Sequence, residues 1–457
     1  MKSAVAASSV TEAVAEKAAA LRPERIPAAV RRRAEDLLVD VIGLCVSARG
    51  TDYVQALTRA MDTGGPCTAI GLRGGYGAAD AALLNGTAAH GEDFDDTFEG
   101  GPVHSSAVVI PAVLAACERF QRDGRAALIG TVAGVEFLCR LSMVIPKAIH
   151  KAGFHPTSVL GTLGATLAAA KAMGLDRRQT VDALGIAGSL ASGIIEYLTD
   201  GAWTKRMHPG WAAQAGLSAA RFGAQGFLGP RTVLEGTHGL FHGFARSVEG
   251  DYGQVTEGFG ERWHMENITF KPYATGTMNQ PYIECALRLR NRGVRPEDIG
   301  EIQCETAEGY VHRLWEPLAS KHRPANAYGA KFSAPFNIAV AMVTGGAGLS
   351  AFTEETARDE RVLVLASKVR YVVDPANPYP KAYTGHIRAT LRDGRVLEER
   401  QGHIRGGAHD PLTREEIHAK FLGNCEYGGW PKERALRFLE TVPGMFDGAL
   451  DLKPLRG

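Results

Sequence analysis

Cysteine is sparse and scattered in this chain of 457 residues: Cys45, Cys67, Cys117, Cys139, Cys285, Cys304 and Cys425. No two stand at metal-ligand spacing, so a Cys-x-x-Cys framework for structural zinc or an iron-sulfur cluster is excluded. Their odd number and apolar neighbours mark small buried hydrophobes in a reducing compartment, and the expected location is cytoplasmic. Neither sign of charge dominates, with Lys+Arg 51 against Asp+Glu 50 and a net charge of +1. The only basic block, Arg31 to Arg33, falls inside a helical pattern. Nucleic acid and membrane surfaces are therefore not expected partners. Glu12 and Glu16 interrupt the alanine-rich start, which is expected to fray, and no apolar run reads as long enough to span a bilayer.

What is present is a long chain rich in helical periodicity. At 457 residues two domains are the default. Val30, Leu37, Leu38, Val41, Ile42 and Cys45 recur every three or four positions, which predicts an amphipathic helix entered through Pro27. Residues 53–61, 78–89, 106–121, 127–144, 159–173, 177–197 and 212–224 continue as helices, several made of Ala, Gly, Val and Leu whose small side chains let backbones approach closely. A short extended piece is expected at 68–72. Beyond Phe270-Lys271-Pro272-Tyr273 the pattern changes: strands at 299–306 and 368–373, a helix at 328–344, and a hairpin over 386–400 turned by Asp393-Gly394. Thr413 to Glu416 is a capping box that opens a helix, and 431–441 is helical again. The expected fold is mainly α: residues 1–268 with 405–457 as an all-helical domain, and 269–404 as a smaller α+β domain.

The densest chemistry lies between residues 85 and 111, where His90, Glu92, Asp93, Asp95, Asp96, Thr97, His104 and Ser105 are packed between two apolar helical runs. Capping accounts for the hydroxyls and for one carboxylate. Two histidines flanking three aspartates ask for more. Further on, His155 stands at the start of a helix beginning Pro156-Thr157, where anions are favoured. Residues 201–211 read as a loop holding Lys205, Arg206 and His208, and Lys271 sits where the second domain begins. Helix ends that deliver such groups from several places in the chain suit one shared cleft.

Taken together, His90-Gly-Glu-Asp-Phe-Asp-Asp-Thr97, His104-Ser-Ser, Gly153-Phe-His155, Ala187 to Gly193, Lys205-Arg-Met-His-Pro-Gly210, Gly229 to Gly236 and Phe270-Lys-Pro-Tyr273 resemble the MmgE/PrpD family. Known activities of that family include 2-methylcitrate dehydratase, cis-aconitate decarboxylase and iminodisuccinate epimerase. The resemblance implies a helical domain from both chain ends, an α+β lid, a homodimer, and a site between domains that uses no metal or organic cofactor. In the decarboxylase branch the functional positions fall here on Asp93, Thr97, His104, His155, Lys205 and Lys271. That branch carries a tyrosine in the lid helix where this chain has Phe336.

All three activities develop negative charge at a carbon next to a carboxylate, which requires fixed cations, a proton carrier and little water. Lys205 and Lys271, with Arg206, are the expected clamps for a small anionic substrate, and Thr97, His208 and Tyr273 complete its surroundings. His155 is the expected base, and His104 coupled to Asp93 the expected acid. Asp95 and Asp96 are read as caps, or as holding histidines and lysines in place. The leading expectation is a hydro-lyase of the 2-methylcitrate dehydratase kind; an epimerase or a decarboxylase is the alternative. A metal-dependent hydrolase built on His90, Asp93, Asp96 and His104 lacks a recognisable ligand spacing. A binding protein that keeps the fold alone is the remaining alternative.

Overall fold

The computed structural model describes residues 8–101 and 103–457. Contacts divide the chain into two units. The first holds residues up to 91, 95–268 and 414–457; the second holds 92–94 and 269–413. Residues 405–413, expected with the helical part, fall in the second unit. The reason is backbone pairing: Phe270 N–H donates to the Gly406 carbonyl at 3.1 Å, and Gly406 N–H donates to that of Asp410 at 2.6 Å.

The first unit is built of helices, principally Ala28–Ala48, Ala78–His90, Ser106–Phe120, Gly124–Val144, Pro156–Met173, Arg177–Leu190 and Thr204–Ala224. Small residues decide how near they lie. A Cβ placed on Gly86 would fall 2.6 Å from Gly210 Cα, and one on Gly216 would fall 2.5 Å from Ala165 Cβ. Thr204–Ala224 thus packs directly on Ala78–His90 and Pro156–Met173. Gly124–Val144 is long and apolar enough to cross a membrane, contrary to the expectation from sequence, and 94% of its apolar window is buried inside the unit. It also carries a fully buried ion pair, Arg140 Nε to Glu136 Oε1 at 2.6 Å. The remaining Arg140 donors go to the carbonyls of Gln254, Glu257, Gly258 and Arg262, so the buried guanidinium is satisfied.

Three local expectations are corrected. The alanine-rich start does not fray from residue 9 onward: Ser9 and Glu12 form a capping box on the helix Val10–Ala20, which buries Val14, Ala15 and Ala18. The extended piece lies at Thr63–Cys67 rather than 68–72. The helix over 177–197 ends at Leu190, because Phe154 and Ile194 pair as an isolated β-bridge and His155 N–H takes the Gly193 carbonyl at 2.8 Å. From the chain's other end, Arg414–Tyr427 packs against Ala28–Ala48, with Lys420 Nζ 2.7 Å from the buried Asp40 Oδ1.

The second unit has a four-stranded sheet in the order Val369–Val373, Ile299–Thr306, Gly385–Leu391, Val396–Gln401. The first pair is parallel and the other two are antiparallel. The turn at Asp393-Gly394 needs a left-handed residue, supplied by Gly394 at φ +88°. Gln280–Asn291 and Ala334–Thr344 are its main helices. The helix expected over 328–344 is broken at 331–333. The Lys331 carbonyl accepts from Gly276 N, Thr275 Oγ1 and Asn279 Nδ2, and Ser333 Oγ caps the new helix at Phe336 N–H.

Candidate active site

The helix Ala78–His90 ends on His90, and the loop that follows returns through Asp95 and Asp96 to His104, just before the helix Ser106–Phe120. Asp96 is fully buried and does the capping: its Oδ2 accepts from Ser105 N and Oγ, and its Oδ1 from Ser106 N and Oγ. Asp95, also fully buried, serves the histidines instead. Its Oδ2 lies 2.8 Å from His90 Nδ1 and 3.3 Å from His104 Nδ1. The His104 Nδ1 is in addition 2.8 Å from the Asp96 carbonyl. Two acceptors at one nitrogen place a proton there, so Nε2 is the His104 nitrogen left for other partners. His90 is fixed the same way, and its Nε2 faces Lys205 Nζ at 3.1 Å. The carboxylate paired with His104 is thus Asp95; Asp93, expected in that role, is ion-paired with Lys271.

His155 occupies the position before the helix Pro156–Met173, as its sequence context predicts. Its Nδ1 lies 3.0 Å from His208 Nδ1. The imidazoles of His90 and His104 are 4.6 Å apart between centroids, and His155 stands 6.0 Å from the first and 6.4 Å from the second. Lys205, Arg206 and His208 lie on the first turns of Thr204–Ala224, not in a loop, with Pro209 already inside that helix. Burial pushes His90 down to about 3, and the ammonium of Lys205 outweighs part of the opposing pull of Asp95. Burial, then Lys205 and His208, hold His155 well below the ordinary imidazole range, and burial with Lys205 brings His208 to about 4. Burial would raise the Asp95 carboxyl, but His104 and His90 together hold it below the usual carboxylate range. Near neutral pH His90, His155 and His208 are therefore uncharged, gathered with the Asp95 carboxylate and the Lys205 ammonium.

Of the residues singled out from sequence, His104, His155, Lys205 and His208 come together in the first unit with His90 and Asp95. Thr97 is buried in the short strand Thr97–Phe98 of the same loop, and Arg206 lies with its guanidinium 4.5 Å over the Tyr53 ring. Asp93 and Lys271 meet in the second unit, where Lys271 Nζ donates to the Asp93 carbonyl at 2.8 Å and to Oδ1 at 3.0 Å. Tyr273 in that unit gives its hydroxyl to Glu284 Oε1 at 2.6 Å. Two residues were missed. His90, expected only as part of the dense stretch and as a ligand in the metal-dependent alternative, is the imidazole that touches both Asp95 and Lys205. Lys331, 1% exposed, holds Glu92 through its carbonyl at 2.8 Å and its carboxylate at 2.9 Å. The available signal was a lysine in an apolar context, Phe332 to Phe336, since lysine is seldom buried without a partner.

The family model described as the MmgE/PrpD N-terminal domain matches residues 12–251, and the MmgE/PrpD C-terminal domain matches 273–442. Among curated proteins, the chain is 29% identical to a cis-aconitate decarboxylase of Aspergillus terreus strain NIH 2624, covering 96% of this chain and 90% of that one. It is 27% identical to a cis-aconitate decarboxylase-like protein of Aspergillus oryzae, with 88% and 87% covered. It is 26% identical to the cis-aconitate decarboxylase of Mus musculus, with 91% and 87% covered.

Proposed function

Because this chain belongs to the MmgE/PrpD family, we propose that it is a lyase acting on a small tricarboxylate, working through proton transfer at a carbon next to a carboxylate. The observation that carries this reading is Asp95 holding His90 and His104 by their Nδ1 atoms while Lys205 caps His90 Nε2. That arrangement commits the His104 Nδ1 to its acceptors and leaves Nε2 for a substrate, in a cluster that also holds the Lys205 ammonium at His90. The ammonium binds a substrate carboxylate and stabilises charge spreading into it as a carbanion forms. A positioned imidazole contributes about 10²–10⁴-fold by proton transfer.

Dehydration suits the presence of a second proton carrier. His155, held uncharged by its surroundings, takes the C–H proton, the electron pair forms the C=C bond, the C–O bond breaks, and the hydroxyl leaves as water with a proton from His104, which acts in this step as the imidazolium and is reprotonated through solvent as His155 gives its proton up. The His155–His208 contact supports this: as His155 gains a proton at Nε2, the proton on its Nδ1 can pass to His208 Nδ1, which carries the positive charge away from the reacting carbon. A second reading, decarboxylation, is favoured by the names of the three relatives. There the C–C bond to a carboxylate breaks, carbon dioxide leaves, and the electron pair on carbon takes a proton from an imidazole.

Proton NMR in deuterated buffer with citrate, 2-methylcitrate, cis-aconitate and iminodisuccinate tests these readings together. An unsaturated product from a hydroxy acid supports the hydro-lyase, and loss of a carboxylate as carbon dioxide supports the carboxy-lyase. Exchange of the α-hydrogen with no unsaturated or shortened product assigns an isomerase and overturns the lyase reading, as does inertness toward all four by folded protein.

A further inference from the structure

We propose that His90, His104 and His155 also form a binding site for a divalent cation of the zinc type, and that an ion bound there blocks the reaction. One ligand atom from each of these imidazoles lies within 4.8 Å of the other two. In a tetrahedral site with Zn–N near 2.1 Å the nitrogens stand about 3.4 Å apart, so no separation has more than about 1.4 Å to close.

What surrounds the trio is also what a metal site uses. Zinc-binding imidazoles are held by a hydrogen bond from their second nitrogen, often to a carboxylate. Asp95 provides that bond to His90 and His104 at once, and His208 provides it to His155. The competitor is Lys205, whose Nζ stands 3.1 Å from His90 Nε2, where an ion would sit. An ammonium there keeps the imidazoles available for proton transfer and holds metal affinity down. An ion that moves it aside ties up the lone pairs the lyase needs.

The experiment is uptake of Co2+ by the full chain, followed by equilibrium dialysis and by the visible absorption of four-coordinate cobalt. The expected result is one ion per chain, with the band bleached by Zn2+. His104→Gln and His155→Gln are each expected to weaken uptake about tenfold or more. Lys205→Met is expected to strengthen it, which a merely adventitious surface site would not do. Folding of each variant is checked by circular dichroism. A Kd weaker than about 1 mM for the unaltered chain overturns the proposal. So does uptake that folded His104→Gln and His155→Gln leave unchanged, since the ion would then be on another pair such as His403 and His409, whose rings are 4.5 Å apart. Inhibition by the bound ion rests on the lyase reading, whereas uptake does not: chains that bind the ion yet turn over no carboxylate would sink that reading alone.

Discussion

His155 and His208 face each other nitrogen to nitrogen, Nδ1 to Nδ1, at 3.0 Å. Only one of the two can carry the proton between them, so the tautomer of each dictates that of the other. His208 comes from the helix Thr204–Ala224 and is buried, yet its chemistry is felt at His155, which the sequence alone marked as the base.

Replacing His155 with Gln is therefore expected to reduce kcat by about 10²–10⁴-fold with the fold intact. His208→Gln, which can still offer a donor or an acceptor, is expected to cost less in kcat and to shift the pH profile of kcat/KM. An unchanged profile in His208→Gln would detach it from the proton path.

Asp95→Asn tests the shared carboxylate. Asn keeps the size and can turn its one oxygen to both Nδ1 atoms, which share Oδ2 in the aspartate, but it brings no negative charge and puts a buried amide donor where Oδ1 stands. The expectation is loss of kcat of the same order as for His155→Gln, with stability down by about 1–3 kcal/mol for the buried donor left without a partner. Turnover within a few-fold of the unaltered protein would remove Asp95 from the mechanism.

Lys271→Met leaves the Asp93 carboxylate, only 4% exposed, without the ammonium at its Oδ1. Removing one member of such a buried pair costs about 3–5 kcal/mol, to be read from the thermal unfolding transition. Adding Asp93→Asn is expected to recover part of that loss, because Asn tolerates the left-handed backbone of this position, φ +56°, and brings no charge. Absence of any recovery would mean that the lysine acts through something other than its ion pair.

Acid stability follows from the histidines. His90 and His208 titrate near 3 and 4 in the folded chain and near 6.5 in the unfolded one. The unfolded chain takes up their protons first, so stability is full above about pH 6.5 and falls as the pH drops toward 4. Asp36 and Asp40, pushed up to about 6 by burial, act in the opposite sense between pH 6 and 3.8. Hence His208→Gln is expected to flatten the decline of the urea midpoint between pH 6.5 and 4, and Asp40→Asn to steepen it. A parallel decline in all three proteins would contradict this assignment.

Much of the helical unit could be read from the chain because its signals are local. Pro27 and Pro156 mark helix starts, the Ala, Leu and Val periodicity marks the buried faces, and the strand at 299–306 was found at its observed bounds. The misreadings arise where distant residues intervene. The early end of Arg177–Leu190 is set by the bridge between Ile194 and Phe154, and the break at Lys331 by the hydrogen bonds that Thr275 and Asn279 both donate to its carbonyl. In the site, residue types were legible and pairings were not. Nothing in the spacing of Asp93, Asp95 and Asp96 tells which one meets an imidazole, which a lysine and which two serines.

The distance between Lys205 and His90 is set by atoms that are missing. Their helices touch at Gly86 and Gly210, and a Cβ on Gly210 would come 2.2 Å from the Leu83 carbonyl oxygen. A methyl group at either glycine would wedge the two helices apart and carry the ammonium away from the imidazole, without altering any residue that does chemistry. Two positions with no side chain at all thus act as the gauge block of the reaction centre, and an enzyme engineer wishing to retune it would have to leave both bare.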